Sequence, residues 1–133
     1  MVEGLTMMWH VVLLKPRADL SIAGRQALLA AFDRAVREVP SVRDVRIGTR
    51  ITHGAGYEAG MPDSADFLIS IAFADLAGLQ TYLRHPAHEQ LAARFYESLS
   101  SALIYDFAVG GVEDVVERGV LGKLVWRRSV DLP

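Results

Sequence analysis

At 133 residues, with 51% apolar and 23% charged side chains, the chain fits a single compact domain with a substantial core and is too short for two. A net charge of −2 with scattered basic residues excludes the electrostatic footprint of a nucleic-acid binder, and no charge block marks an interaction tail. The absence of cysteine excludes disulfides, thiolate metal centres and thiol catalysis. No apolar run reaches the roughly 18 residues of a membrane helix, and residues 1–6 lack a basic leader, so the expectation is a cytoplasmic protein without a membrane partner.

Residues 7–15 form a dense apolar run ended by Pro16, which predicts a strand buried on both faces. His10 interrupts it and by alternation shares a face with Met8, Val12 and Leu14. Two readings of His10 stand: a core histidine satisfied by backbone or water, or a polar wall of a pocket. Asp19 or Ser21 is placed to cap the next segment, where Ile22, Leu28, Leu29, Phe32, Val36 and Val39 repeat at helical spacing as far as Pro40.

Residues 42–51 alternate as a second strand with charges on an edge or a half-exposed face, and Gly48 is a candidate bulge. The glycine-rich stretch 52–64 lacks the Gly-Lys-Ser/Thr ending of a phosphate loop and reads as a connection or pocket rim. A third strand covers 66–74, with Phe67, Ile69, Ile71 and Phe73 on one face. Asp75 then caps a short helix carrying Leu79 and Tyr82.

At His85-Pro86 the chain must break, because proline bars helical geometry in the residue before it and suits the first position of a new helix. His85 becomes the cap, and His88 falls at the third helical position. From there it heads the apolar stripe of Leu91, Ala92, Phe95, Tyr96 and Leu99, in a helix expected to run to about residue 100. A fourth strand covers 102–109, with Leu103, Tyr105, Phe107 and Val109 on one face and Asp106 on the other as a structural acceptor. Gly110-Gly111 closes a domain of residues 7–109. In the extension 110–133, Val112, Val115 and Val116 hint at a helical turn, and Trp126 is expected to pack on the domain or on a partner subunit.

The order β-α-β-β-α-α-β predicts an α+β fold, an antiparallel sheet with helices on one face. Phe67, Ile69, Ile71, Phe73 and the first strand supply more apolar side chains than one helical layer covers, so two copies are expected to pack sheet to sheet as a homodimer.

Three stretches carry a family resemblance. They are His10-Val11-Val12-Leu13-Leu14-Lys15, the run from Val39 to Gly48, and Leu79-Gln80-Thr81-Tyr82-Leu83-Arg84-His85-Pro86-Ala87-His88, followed by Asp106-Phe107. In these the chain resembles the stress-responsive dimeric α/β barrel (Dabb) family. The resemblance implies a ferredoxin-like four-stranded antiparallel sheet that forms a dimeric α/β barrel. It also implies a pocket between sheet and helices lined by Phe32, Phe67, Ile69 and Phe95, with His10 as a further polar wall, suited to a small hydrophobic ligand. A plant polyketide cyclase of this family uses a tyrosine and a histidine matching Tyr82 and His88. Two further polar pocket positions of that cyclase correspond here to Phe32 and Phe67.

Tyr82 and His88 are the residue types that proton abstraction beside a carbonyl requires: a base, and a donor for the developing oxyanion. A helix N-terminus disfavours imidazolium and keeps His88 neutral. The expectation is a cofactor-independent cyclase or lyase on a carbonyl, polyketide-like substrate. The alternative is a non-catalytic, stress-associated dimeric barrel that binds a small ligand or has only a structural role, with Tyr82 and His88 making a buried hydrogen bond that fixes the turn. No metal site is expected, since proline sets His85 and His88 on different faces and no carboxylate cluster joins them.

Overall fold

The computed structural model describes residues 7–117; the readings for residues 1–6 and for Trp126 lie outside them. Along the chain run β1 (Met7–Pro16), α1 (Ile22–Glu38), β2 (Val42–Thr49), β3 (Phe67–Phe73), α2 (Leu76–Arg84), α3 (Pro86–Ser98), β4 (Leu99–Val109) and α4 (Val112–Glu117). The strands form one antiparallel sheet in the order β2-β3-β1-β4, the ferredoxin-like arrangement in which first and third strands lie at the centre. β4 starts at Leu99, three residues before the expected point, because α3 already ends at Ser98.

Caps set the helix starts. The Ser21 hydroxyl accepts the Gly24 N–H at 3.0 Å and Asp75 accepts the Gly78 N–H at 2.8 Å, each satisfying a donor that the first turn leaves free. The helices cover one face of the sheet. Against it lie Met8, Ala35, Val39, Ile71, Phe73, Leu79, Tyr82, Ala87 and Leu91 as one buried cluster.

β1 is buried on one face only. Met8, His10, Val12 and Leu14 are enclosed, whereas Trp9 is 44% exposed. Cross-strand register shows why. Trp9 pairs with Phe107 and Ala72, Val11 with Tyr105 and Ser70, and Leu13 with Leu103 and Leu68, so one face, uncovered among the described residues, collects the alternate residues of all three strands. The uncovered apolar face is thus made by Trp9, Leu68, Leu103, Tyr105 and Phe107. It is not made by Phe67, Ile69, Ile71 and Phe73, which stand opposite Leu14, Val12, His10 and Met8 on the helix side.

The bulge of β2 lies at Arg43 rather than at Gly48, which pairs regularly with Leu68. The extra residue brings Val42 opposite Phe73 and Val45 opposite Ile71, so two valines three apart share the helix-covered face where strict alternation separates them.

Candidate active site

The polar centre is built by the elbow between α2 and α3. His85 serves both helices: its backbone N–H donates to the Tyr82 carbonyl at 3.2 Å, closing α2, and its Nδ1 accepts the Ala87 N–H at 3.0 Å, opening α3. With Pro86 pre-set for the first helical turn, the elbow has no spare residue. Tyr82 on the last turn of α2 and His88 on the first turn of α3 therefore converge, with ring centroids 4.8 Å apart and planes at 62°. The contact is edge-to-face. Tyr82 is anchored by Phe73, at 5.3 Å, and is essentially buried.

Burial sets the protonation of both. It pushes the Tyr82 phenol up to about 12, so the hydroxyl keeps its proton. It holds the His88 imidazole below its ordinary value near 6.5, helped by the neighbouring His10. The Leu83 backbone and Glu89 pull weakly the other way. His88 is accordingly a neutral imidazole near pH 7, beside a neutral phenol.

His10 comes from the sheet. Its ring lies 6.0 Å from that of Tyr82, and its Nδ1 meets Asp106 Oδ1 at 2.6 Å across the β1–β4 ladder, where the two residues are direct partners. An ionised carboxylate only accepts, so Nδ1 carries the proton and Nε2 is the ring atom left for another partner. Sequence reasoning set Asp106 aside as a structural acceptor near a turn. The signal that finds this contact is register, since both residues fall on the helix-facing side of adjacent strands.

These groups open into a cavity of about 380 Å³ between the sheet and the helices. His10, Tyr82 and His88 contribute to its wall together with Phe32 from α1, Phe67 and Ile69 from β3, and Phe95 from α3, so all seven residues singled out in the sequence meet here. Leu28, Leu83, Leu91 and Ile104 complete much of the apolar lining. Arg25, which the sequence did not single out, also borders the cavity. None of residues 52–64 does. That loop is drawn instead to the end of β1, where Lys15 Nζ binds Asp63 at 2.6 Å, and it borders a separate polar depression between Arg50, Glu58 and Asp63. Among the described residues no cluster of three metal-ligating side chains occurs.

The family model of the stress responsive A/B barrel domain matches residues 8–109. Olivetolic acid cyclase of Cannabis sativa is 20% identical over 98 residues, which are 74% of this chain and 92% of that protein. Among solved structures, the hydroxynitrile lyase of Passiflora edulis superposes with a TM-score of 0.68 at 13% identity, covering 80% of this chain and 96% of that one. A dimeric ferredoxin-like protein of unknown function from Thermobifida fusca superposes with a TM-score of 0.61 at 17% identity, covering 82% and 95%. At these identities the likeness of the solved structures is one of fold.

Proposed function

The chain belongs to the stress responsive A/B barrel (Dabb) family, and from that premise we propose that it is a cofactor-independent lyase or cyclase acting on a carbonyl compound with a hydrophobic, polyketide-like body. One observation carries the reading. Tyr82 and His88, in ring contact, face a cavity of about 380 Å³ where a closed core would be expected of a purely structural pair. The relative of 20% identity is by name a cyclase, in keeping with this set.

In the proposed step the neutral His88 imidazole removes a proton from the carbon beside a carbonyl, and the Tyr82 hydroxyl donates a hydrogen bond to the resulting enolate oxygen. The enolate carbon attacks a second carbonyl of the same molecule, one carbon–carbon bond forms, and the new alkoxide recovers the proton from the His88 imidazolium. No electrons are exchanged with any other reagent. His10, oriented by Asp106, forms a further polar wall beside Tyr82, and Phe32, Phe67, Ile69 and Phe95 hold the apolar body.

The uncovered apolar face supports a symmetric homodimer packed sheet to sheet, as does the dimeric state of the Thermobifida protein. A cytoplasmic location stays part of this proposal. A second reading, a ligand-binding barrel without turnover, is favoured by the burial of Tyr82 against Phe73.

The test is a screen of poly-β-keto thioesters and cyanohydrins with the wild type, His88→Ala and Tyr82→Phe, each checked for fold by circular dichroism. Turnover by the wild type that falls at least about a hundredfold in both variants supports the catalytic assignment. Normal turnover by His88→Ala of every substrate found would falsify it.

A further inference from the structure

We propose that the cavity selects an anionic amphiphile: a ligand whose acidic head is held by Arg25 at the mouth while its apolar body runs inward to Tyr82 and His88. The inference rests on the ligand-binding reading of the same cavity and adds the chemical class of its occupant.

Charge and placement carry it. Among the described residues, Arg25 is the one cationic residue lining the cavity, and no acidic side chain lines it. Most arginines among the described residues are already paired: Arg17 with Asp19, Arg34 with Glu38, Arg37 with Asp33, Arg46 with Asp44, and Arg50 with Asp63. Arg25 has no such partner there. It is exposed, on the second turn of α1, and its Nε donates to the Leu20 carbonyl at 3.4 Å, which folds the side chain back over another residue of the cavity rim. A guanidinium held beside an apolar opening, with most of its donors unused, is a ready partner for a carboxylate or phosphate.

The geometry also sets an order along the cavity. Arg25 lies near the start of α1, nine residues before Arg34, about 14 Å along the helix at 1.5 Å per residue. Arg34 reaches Gln90 on α3, two residues from His88, at 2.7 Å, so the α3 start that carries His88 is tied to the later part of α1 and Arg25 to its beginning. Leu28 and Phe95, from α1 and α3, flank the path between them. The tyrosine and histidines thus define one end of the ligand and the arginine the other.

Calorimetric titration of the full chain with sodium decanoate below its micellar concentration and with methyl decanoate below its solubility limit tests this directly. The carboxylate is expected to bind about tenfold more tightly than its ester. Arg25→Gln is expected to erase that ratio and leave ester affinity unchanged, whereas Arg43→Gln, an exposed arginine of β2 outside the cavity wall, preserves it. Equal affinity for acid and ester, or a ratio that survives Arg25→Gln, overturns the inference and leaves the cavity reading standing. Binding of neither probe overturns both.

Discussion

His10 and Asp106 are direct partners across the β1–β4 ladder and are joined at 2.6 Å through Nδ1 and Oδ1. His10 is buried, while the Asp106 side chain is 44% exposed, so one partner has water as an alternative and the other does not. Replacement of Asp106 by alanine is expected to cost about 1–3 kcal/mol, because the buried ring nitrogen loses its acceptor. Asparagine is expected to restore most of the stability by accepting through its amide oxygen. Urea unfolding of the two variants measures the difference, and equal losses in both would count against a hydrogen-bond origin.

Tyr82→Phe separates the two readings of the elbow. The ring stays packed on Phe73 and only the hydroxyl is lost, so stability is expected to change by less than about 1 kcal/mol. Turnover of any carbonyl substrate found is expected to drop about a hundredfold or more, the effect of losing one oxyanion donor. A large stability loss with little kinetic change would assign the hydroxyl to the fold.

The direction of the His88 and Tyr82 shifts fixes a pH profile. His88 is held below 6.5, so the acid limb of kcat/KM is expected below pH 6.5, and Tyr82 at about 12 keeps its proton across the neutral and mildly alkaline range. For stability the signs follow from which state binds more protons. Below pH 6.5 the unfolded chain protonates His88 more readily than the folded one, so stability falls as pH falls. Above pH 10 the unfolded chain ionises Tyr82 first, so stability falls as pH rises. Thermal melts between pH 5 and 11 are expected to peak between these limits, with the acid slope missing in His88→Ala.

Phe107 stands beside Trp9 in the uncovered face and is 50% exposed. If that face is covered by a second copy, Phe107→Asp places a charge in the middle of an apolar interface and is expected to convert a dimer into a monomer in sedimentation velocity. The cavity lies on the opposite side of the sheet, so decanoate binding is expected to persist in the monomer. Unchanged mass would reject the sheet-to-sheet arrangement.

Features held by local chemistry were legible in the sequence. Proline 86 dictates the break at His85, the break dictates where His88 stands, and Ser21 and Asp75 cap the helices they precede. Features that depend on pairing were harder to see. One residue added to β2 at Arg43 moves Val42 across the sheet, and no local signal distinguishes Arg43 from Gly48 as the site of the bulge. Two equally apolar strand faces also left open which one the helices cover. His10, the capped elbow and the small Ala35 and Ala87 resolve it, since they let α1 and α3 approach the face that carries Phe73. Asp106 was legible as an acceptor, but its partner His10 was not, because the two lie 96 residues apart in the chain.

The double duty of His85 has a further bearing on how this domain can diversify. A single residue closing one helix and opening the next acts as a bracket, and the tyrosine and histidine mounted on its two arms take their spacing from the elbow, with Phe73 as the β3 support of the tyrosine. On the proposed reading, the reactive pair and the ligand-fitting side chains are therefore carried by separate segments. Exchange of Phe32 or Phe67 for smaller or polar residues reshapes the chamber without disturbing the pair, which makes those two positions the natural places to redirect the domain toward a different molecule.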